Sequence, residues 1–329
     1  MAPTEILAQQ HYQGLAPLLE NLGIRCALLT GSTTAKAKRS IVQQLESGEI
    51  DFAIGTHALI TGSVAYRDLG LVVTDEQHRF GVAQRADLAA KGDHPHILVM
   101  SATPIPRTLA LILYGDLDVS VIDQLPPGRQ PVQTFAVSGG YHQRGCRFLR
   151  KLVGGGRQRW SCCPMVEEND ELPDERKAVT EYAKKLQAEV FPDLKVAFVH
   201  GKMKPRATVI EGGVDVPNAA VMVIENAERF GLSQLHQLRG RVGRGKHQSY
   251  CILISDNQNE ETRQRLKVMT KTTDGFKIAE EDLRLRGPGD FFGQRQHGLP
   301  GLKVADLGCD TLLLQEAQAA ARQLLAEDP

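Results

Sequence analysis

The sequence lacks a net charge and any long apolar run. Lysine and arginine total 39 residues, as do aspartate and glutamate, so the overall charge gives no indication of a nucleic-acid partner. No apolar run approaches the ~18 residues that a membrane span needs, and the first residues do not show the basic and apolar regions of a secretory signal. We therefore expect a soluble, cytoplasmic protein with no membrane partner.

The six cysteines also lack a recognised spacing. They are scattered along the chain, and the adjacent pair Cys162 and Cys163 does not have the two-residue gap of a zinc or redox motif. Disulfides are rare in the reducing interior of a cell, which is where a protein that is not exported resides. The cysteine pattern therefore predicts reduced thiols and no zinc site.

What the sequence does contain is a repeated alternation of short apolar runs and amphipathic segments. A chain of 329 residues is long enough for about two domains. The alternation predicts an α/β fold with mostly parallel sheets. The predicted strands form two series: Cys26–Thr30, Phe52–Thr56, Leu69–Asp75 and Ile97–Ser101, and then Val132–Val137, Lys195–His200, Ala220–Glu225 and Tyr250–Ser255.

The segment Asp123–Pro131 is predicted to separate two domains. It contains three prolines and a glycine, which resist both helix and central strand. After Asp256 the pattern becomes helical and polar. The prediction is a first domain over residues 1–124, a second over residues 125–256, and a helical region over residues 257–329.

Two adjacent carboxylates, Asp75 and Glu76, end one predicted strand. Open α/β sheets bind ligands beyond the carboxyl ends of their strands. A nucleotide motor uses one carboxylate to hold Mg²⁺ and another to orient the attacking water. An acidic pair after a strand is also an ordinary solvated turn, so the pair alone does not decide between the two interpretations.

Two more patterns follow along the chain. Ser101–Thr103 follows another apolar strand, where hydroxyl groups can sense a ligand at a neighbouring carboxylate or can simply cap a helix.

The stretch Arg229–Lys246 contains five basic residues and no carboxylate. Such a stretch can bind phosphate, or it can be the solvated face of a helix.

In combination these patterns resemble the superfamily-two helicases. The segment Asp75–Val82 is similar to the form found in the RecG family of bacterial DNA helicases. The segment Gly275–Gly289 resembles a translocation motif that this family shares with the transcription-repair coupling factor. Asp290–Gly298 and Gln77 favour the RecG family over that relative.

The resemblance implies two RecA-like motor domains and an ATP-dependent helicase that migrates branched DNA, including forks and Holliday junctions, in recombination and repair. It implies ATP and Mg²⁺ as cofactors and a monomer as the working form. The residues implied in hydrolysis are Asp75, which is also the Mg²⁺ ligand, Glu76, Gln77, His78, Arg241 and Arg244. Those implied in nucleotide binding are Asp75, Gly213, Asp215, Gln237, Arg241 and Arg244.

The same resemblance assigns residues to DNA and to the coupling between DNA and nucleotide. The residues implied in coupling are Ser101, Ala102, Thr103, Arg286 and Gly287. Those implied in DNA contact are Pro3, Thr4, Thr30, Gly31, Ser32, Thr56, His57, Lys202, Thr208 and Arg295.

The sequence departs from the family pattern in two places. It contains no copy of the phosphate-binding loop G-x-x-x-x-G-K-[ST], so the first domain is expected to lack its amino-terminal strand and this loop. Only eight residues separate His200 from Val209, too few for the helix and strand that the family has there. The second domain is therefore expected to be incomplete, with a gap or an exposed edge in its sheet. These departures leave open an ATPase-inactive DNA-binding fragment as an alternative.

Overall fold

A computed structural model describes residues 1–76, 80, 87–88, 90–102, 118–164, 179–198, 218–245, 247–257, 259–286 and 311–327. The chain divides into two compact units, of which the first includes Met1–Ala102 and the second includes the described residues from 118 onward. The division into three domains that the sequence predicts stays a prediction.

The first unit is built on two parallel strand pairs. Strand β1 (Cys26–Leu29) pairs with β2 (Phe52–Gly55), and β3 (Leu71–Thr74) pairs with β4 (His96–Val99). Helix α1 (Glu5–Glu20) precedes β1, and helix α2 (Ala35–Ser47) connects β1 to β2. A helical crossover of this kind is the usual connection between parallel strands.

Residues Met1 and Ala2 join the two strand pairs. The Met1 nitrogen donates to the Val73 carbonyl at 2.6 Å, and the Met1 carbonyl accepts from the Asp75 amide at 3.0 Å, which is the pattern of a parallel bridge. On the other side the Ala2 amide donates to the Gly55 carbonyl at 2.8 Å. The spatial order in this unit is therefore β1, β2, residues 1–2, β3 and β4.

Helices α1 and α2 contribute to two separate apolar clusters of this unit. Ala8 and the half-buried Leu7 and Tyr12 of α1 cluster with Ala2 and Ile54. Leu45 of α2 belongs to a second cluster, with Leu29, Ala58, Leu59 and Val64. By contrast, Leu71 and Ile97 in β3 and β4 remain about half exposed.

The second unit contains a four-stranded parallel sheet in the order β5, β8, β7, β6. These strands are β5 (Gln133–Val137), β6 (Gln158–Cys162), β7 (Ala219–Ile224) and β8 (Tyr250–Ile254). Every residue of β7 is buried. A strand of this kind, buried on both faces, has the continuous apolar sequence that the sheet interior of an α/β fold requires.

Helices cover the two faces of this sheet. One face packs on α5 (Leu232–Arg239), α6 (Glu260–Lys271) and α7 (Gly275–Arg286) through an apolar cluster that includes Met222, Leu235, Met269 and Ile278. The other face packs on α3 (His142–Gly154), α4 (Val179–Lys185) and the π-helical turn Leu186–Val190. A last helix, α8, spans Thr311–Glu327. Among the described residues, no helix combines the length and apolarity needed to cross a membrane.

The α/β fold with parallel sheets and a helical carboxyl-terminal region is confirmed, and seven of the eight predicted strands are present within two residues of their predicted ends. The strand predicted at Lys195–His200 is wrong for residues 195–198, and its last two residues lie outside the described part. The reason is local, because the Gln187 side chain bonds this backbone. Its Nε2 donates to the Leu194 carbonyl at 2.8 Å, and its Oε1 accepts from the Val196 amide at 2.9 Å. A side chain thus takes the place of a neighbouring strand. Strand β6 was not predicted.

Candidate functional site

The loops that follow the strands of the first unit form one row of polar residues. Thr30 follows β1, Thr56 follows β2, Pro3 follows residues 1–2, Asp75 follows β3, and the segment before Ser101 follows β4. All these strands run parallel, so their carboxyl ends lie along the same edge of the unit. Ligands of open α/β sheets bind at this edge.

Asp75 is fixed by three polar contacts. Its amide donates to Met1, its Oδ1 accepts from the Glu76 amide at 2.9 Å, and its Oδ2 lies 2.9 Å from His11 Nε2. Because a carboxylate only accepts, Nε2 of His11 carries the hydrogen in this bond. The Asp75 side chain is 24% exposed, so it remains open to a ligand.

Glu76 lies next to Asp75 in a left-handed backbone conformation with φ of 50°. For a residue other than glycine this conformation is uncommon and is frequently found at functional positions. Among the described residues, no group of three or more His, Cys, Asp or Glu side chains is arranged to hold a metal ion. One or two carboxylates suffice for Mg²⁺ when the phosphates of a nucleotide provide other ligands, and Asp75 with Glu76 fits that mode.

Ser101 and Ala102 lie beside this carboxylate pair. The Met100 amide donates to the Thr74 carbonyl at 2.8 Å, which extends the ladder between β3 and β4 to the residues just before Asp75 and Ser101. Both Ser101 and Ala102 are exposed. The two sequence motifs that resemble a hydrolysis site are therefore adjacent in space.

The loop after β1 is held by helix α1. Oε1 of Glu5 accepts from the Ser32 amide at 2.9 Å, and a Cβ on Gly31 would lie 2.9 Å from the same oxygen. Within the loop, Oγ1 of Thr30 lies 3.1 Å from Oγ of Ser32. Thr4 caps α1, since its Oγ1 accepts from the Leu7 amide. The glycine thus permits a close approach between α1 and this loop.

Thr56 and His57 follow β2 with opposite exposure. Thr56 is 2% exposed, and its Oγ1 has no hydrogen-bond partner within the described part of the chain. His57 is exposed and begins a short 3-10 turn, His57–Leu59. A buried hydroxyl at the ligand-binding edge, beside an exposed imidazole, is suited to a polar ligand.

In the second unit, Gln237, Arg241 and Arg244 lie at the end of α5 and in the loop that follows it. Gln237 and Arg241 are half-buried, and Arg244 is exposed with its Nε donating to the Gly240 carbonyl at 3.3 Å. The loop turns at Gly243, whose φ of 80° favours glycine. A guanidinium held in this way on the surface can bind phosphate.

Arg239, which the sequence placed in the basic stretch, is not a surface cation. It is 3% exposed, and its Nη1 donates to the Met269 and Thr272 carbonyls, both at 2.9 Å. Its Nη2 lies 2.9 Å from Nδ1 of His236. Burial lowers the pKa of the Arg239 guanidinium. This residue therefore joins α5 to the end of α6, so at Arg239 neither phosphate binding nor a solvated helix face applies.

A buried polar group at the end of β7 was also missed. Glu225 is fully buried, and its Oε1 accepts from the Tyr182 hydroxyl at 2.5 Å. Burial and the Glu225 charge raise the pKa of Tyr182. No sequence signal distinguishes this glutamate from a surface one, because its partner lies 43 residues away.

Several assigned residues lie outside the described part of the chain. They are Gln77, His78, Thr103, Lys202, Thr208, Gly213, Asp215, Gly287 and Arg295. Arg286 ends α7, and its side chain is likewise outside the described part.

Two family models match the sequence. The model for DEAD/DEAH box helicases matches residues 1–112, and the model for ATP-dependent DNA helicase RecG, domain 3, C-terminal, matches residues 272–329. The first match covers the row of polar residues described above. The second covers all of α7 and α8.

Curated relatives align with the whole chain. The ATP-dependent DNA helicase RecG of Synechocystis sp. is 51% identical over 348 residues, which cover 100% of this chain and 42% of the relative. That of Bacillus subtilis is 46% identical and is covered to 51% of its length. The chain thus spans about half the length of the curated relatives it matches.

Solved structures give the same result. A structure described as RecG bound to a three-way DNA junction is 46% identical, with a TM-score of 0.73, and the match covers 96% of this chain and 43% of that one. A Saccharomyces cerevisiae Dbp5 structure, 13% identical with a TM-score of 0.54, supports the RecA-like fold alone. Identity near one half along the whole sequence, with a RecG-specific match at its end, shows that this chain is homologous over its whole length to about half the length of the RecG ATP-dependent DNA helicases.

Proposed function

We propose that this chain provides the motor part of an ATP-dependent helicase that remodels branched DNA. The observation that carries the proposal is the row at the carboxyl edge of the first unit, where segments assigned from the sequence to DNA and to nucleotide lie side by side. The relatives named ATP-dependent DNA helicase, and the RecG structure bound to a three-way junction, support forks and Holliday junctions as substrates.

Within this proposal the residues divide into a nucleotide side and a DNA side. On the nucleotide side, Asp75 holds Mg²⁺ together with the phosphates of ATP, and Glu76 orients the attacking water. Arg241, Arg244 and Gln237 of the second unit act on the phosphates and the nucleotide. The DNA side begins at the loops after β1 and β2, where Thr30, Gly31, Ser32, Thr56 and His57 lie beside Pro3 and Thr4.

The remaining assignments complete the proposal. Residues that the family resemblance gives to the nucleotide are Gln77, His78, Gly213 and Asp215, and those it gives to DNA are Lys202, Thr208 and Arg295. Ser101, Ala102, Thr103, Arg286 and Gly287 are proposed to couple the two sides. Chromosomal DNA as substrate implies action in the cytoplasm, and we propose a monomer.

DNA-stimulated ATP hydrolysis tests the proposal directly. We expect the purified polypeptide to hydrolyse ATP at least about tenfold faster with a four-way junction, and Asp75→Asn to remove the stimulated rate, because the metal and its charge neutralisation are lost. His96→Ala is the matched control, since His96 is exposed and lies at the amino end of β4, opposite the proposed site. Equal rates in the wild type and Asp75→Asn would contradict the proposal.

A second candidate function is DNA binding without hydrolysis. It is favoured by the absence of a G-x-x-x-x-G-K-[ST] sequence from residues 1–329, because the backbone amides and lysine of that loop normally hold the β- and γ-phosphates. This candidate gives junction binding without stimulated hydrolysis, so the same assay distinguishes the two.

The mode of DNA binding is tested by salt. Phosphate contacts release counterions, so log affinity for the junction should fall against log salt with a slope of roughly −0.7 to −0.9 per neutralised phosphate. We expect His57→Ala to weaken binding about fivefold for every base sequence, as the loss of one hydrogen bond predicts, and His96→Ala to leave it unchanged. A flat salt response, or a loss for one base sequence only, would contradict phosphate tracking.

A further inference from the structure

Helix α1 makes polar contacts with both sides of the proposed site. In its first turn, Oε1 of Glu5 accepts from the Ser32 amide at 2.9 Å, in the loop proposed to contact DNA. Six residues further along the helix, Nε2 of His11 donates to Oδ2 of Asp75 at 2.9 Å. Six residues correspond to about 9 Å along a helix axis. One helix therefore joins the loop after β1 to the carboxylate after β3.

The helix is seated firmly enough to transmit a displacement. Ala8, which lies between the two contact residues, is completely buried against Ala2 and Ile54. The Thr4 cap fixes the first turn. A movement of Glu5 is thus transferred to His11 by a helix that packs on β1 and β2, rather than being absorbed by a flexible linker.

Both contacts lie where a ligand can reach them. The His11 and Asp75 side chains are 39% and 24% exposed, and Gly31 and Ser32 are exposed. The bond from His11 occupies one direction of approach to Oδ2, while Oδ1 accepts from the Glu76 amide. His11 therefore fixes the orientation of the carboxylate without closing it off.

We propose that His11 is a positioning residue that couples the DNA-contact loop Thr30–Thr33 to the orientation of Asp75 through helix α1. The proposal rests on the proposed function for the identity of the two ligands, and on the described contacts for the coupling itself. Binding of DNA to the loop shifts Glu5, and His11 transfers that shift to the carboxylate that holds the metal. Neither Glu5 nor His11 needs to touch the reacting atoms.

A double-mutant cycle on the full chain tests the coupling without any ligand. The readout is the exchange rate of the Glu76 amide, which is bonded to Asp75, measured residue by residue by NMR. We expect His11→Ala to accelerate this exchange about fivefold, the value of one lost hydrogen bond. We expect Glu5→Ala to accelerate exchange of the Glu76 amide about threefold when His11 is present. In the His11→Ala background, Glu5→Ala should have no further effect on that rate.

Conservative variants separate positioning from a purely structural role. His11→Gln keeps an N–H donor near Nε2, and Glu5→Gln keeps an acceptor for the Ser32 amide, so both should restore slow exchange at Glu76. Gln13→Ala is the control, because Gln13 is exposed on the same helix. An effect of Glu5→Ala that is the same with and without His11, or no rescue by His11→Gln, would overturn the proposal.

Adding a four-way junction extends the test to DNA. We expect the junction to shift the ¹⁵N signal of His11 Nε2 in the wild type and in Glu5→Gln but not in Glu5→Ala, while fluorescence anisotropy reports whether the junction is bound. If the double-mutant cycle shows coupling but the junction does not bind, the proposed function is rejected and the coupling between Glu5 and Asp75 through His11 is retained. Junction binding with an additive cycle would reject the link and keep the proposed function.

Discussion

Helices α1 and α5 each bond to another part of their unit through a polar side chain, but the two hydrogen bonds differ in burial. In the first unit, the bond between His11 and Asp75 joins side chains that are 39% and 24% exposed. In the second unit, Arg239 is 3% exposed and bonds carbonyls at the end of α6 and beyond it. A partly exposed hydrogen bond can respond to a ligand, whereas a buried hydrogen bond serves to hold helices together.

The two units also differ in how completely their sheets are covered. Strand β7 of the second unit is buried along its whole length, while Leu71, Ile97 and Leu98 of the first unit are about half exposed. The short link from His200 to Val209 predicts a second domain whose sheet has a gap or an exposed edge, and this stays a prediction. Because β7 is buried along its whole length, we expect slower hydrogen exchange in β7 than in β3 and β4.

The largest effect on stability is expected from removing the buried hydrogen bonds of Arg239. Arg239→Met leaves the Met269 and Thr272 carbonyls without their charged donor, which should cost about 4 kcal/mol of unfolding free energy. The single tryptophan, Trp160, packs against this core, so urea unfolding followed by its fluorescence reports on the second unit. Arg263→Met, at an exposed position of α6, is the control and should change stability by less than about 0.5 kcal/mol. Equal losses in both variants would mean that the burial of Arg239 does not matter.

A smaller loss is expected from crowding the first unit. A Cβ on Gly55 would lie 2.0 Å from the Leu29 carbonyl oxygen, so Gly55→Ala must push β1 and β2 apart. We expect a cost of about 2 to 3 kcal/mol, typical of overpacking, seen as faster hydrogen exchange in peptides covering β1 and β2. Gly14→Ala, where no atom lies within 4 Å of the added carbon, is the control. An unchanged Trp160 unfolding curve would show that the loss is confined to the first unit.

A pH effect should distinguish the second unit. Burial and the charge of Arg239 lower the pKa of His236 from 6.5 to about 4. The unfolded chain then binds more protons between these values, so the stability of this unit is fully present above pH 6.5 and falls as the pH approaches 4. His236→Gln should flatten that part of the Trp160 unfolding profile. A profile that is the same in both proteins would show that another group is responsible.

The smallest effect is expected from an exposed ion pair in the first unit. Nε of Arg25 lies 2.9 Å from Oδ2 of Asp51, and this bond lowers the pKa of Asp51 to about 2. The contribution is present above the ordinary value of 3.8 and is lost as the pH falls through about 2. Since solvent and salt screen such pairs, Arg25→Gln should leave hydrogen exchange of β1 and β2 unchanged within error at neutral pH. An effect as large as that of Gly55→Ala would contradict this ranking.

Much of the fold and part of the candidate site could be predicted from the sequence. Short apolar runs separated by amphipathic segments are sufficient to indicate parallel strands, because such strands must be buried and need helical connections. Once the strands are parallel, Asp75 and Ser101 must lie at the same edge. The prediction of these neighbours therefore required no knowledge of side-chain contacts.

Strand β6 and the irregular backbone of residues 195–198 depended on partners that the strand pattern does not show. The sequence of β6, Gln158–Cys162, is largely polar, and it becomes a strand because it pairs with the buried β7. Residues 195–198 are apolar enough to be predicted as a strand, yet the Gln187 side chain bonds the Leu194 carbonyl and the Val196 amide instead. At β6 the partner is a strand distant in the sequence, whereas at residues 195–198 it is a nearby side chain.

The roles of individual polar residues depended on the tertiary structure most of all. Arg239 and Arg241 are two residues apart in one motif, and only the packing of α5 on α6 determines that one is buried and the other is half-buried. His11 and Asp75 are 64 residues apart, so no local pattern could pair them. The sequence by itself determined the strands and the edge at which their polar ends meet, because burial and chain direction are encoded locally. Which side chains meet there, and which are buried, was decided only when the helices packed.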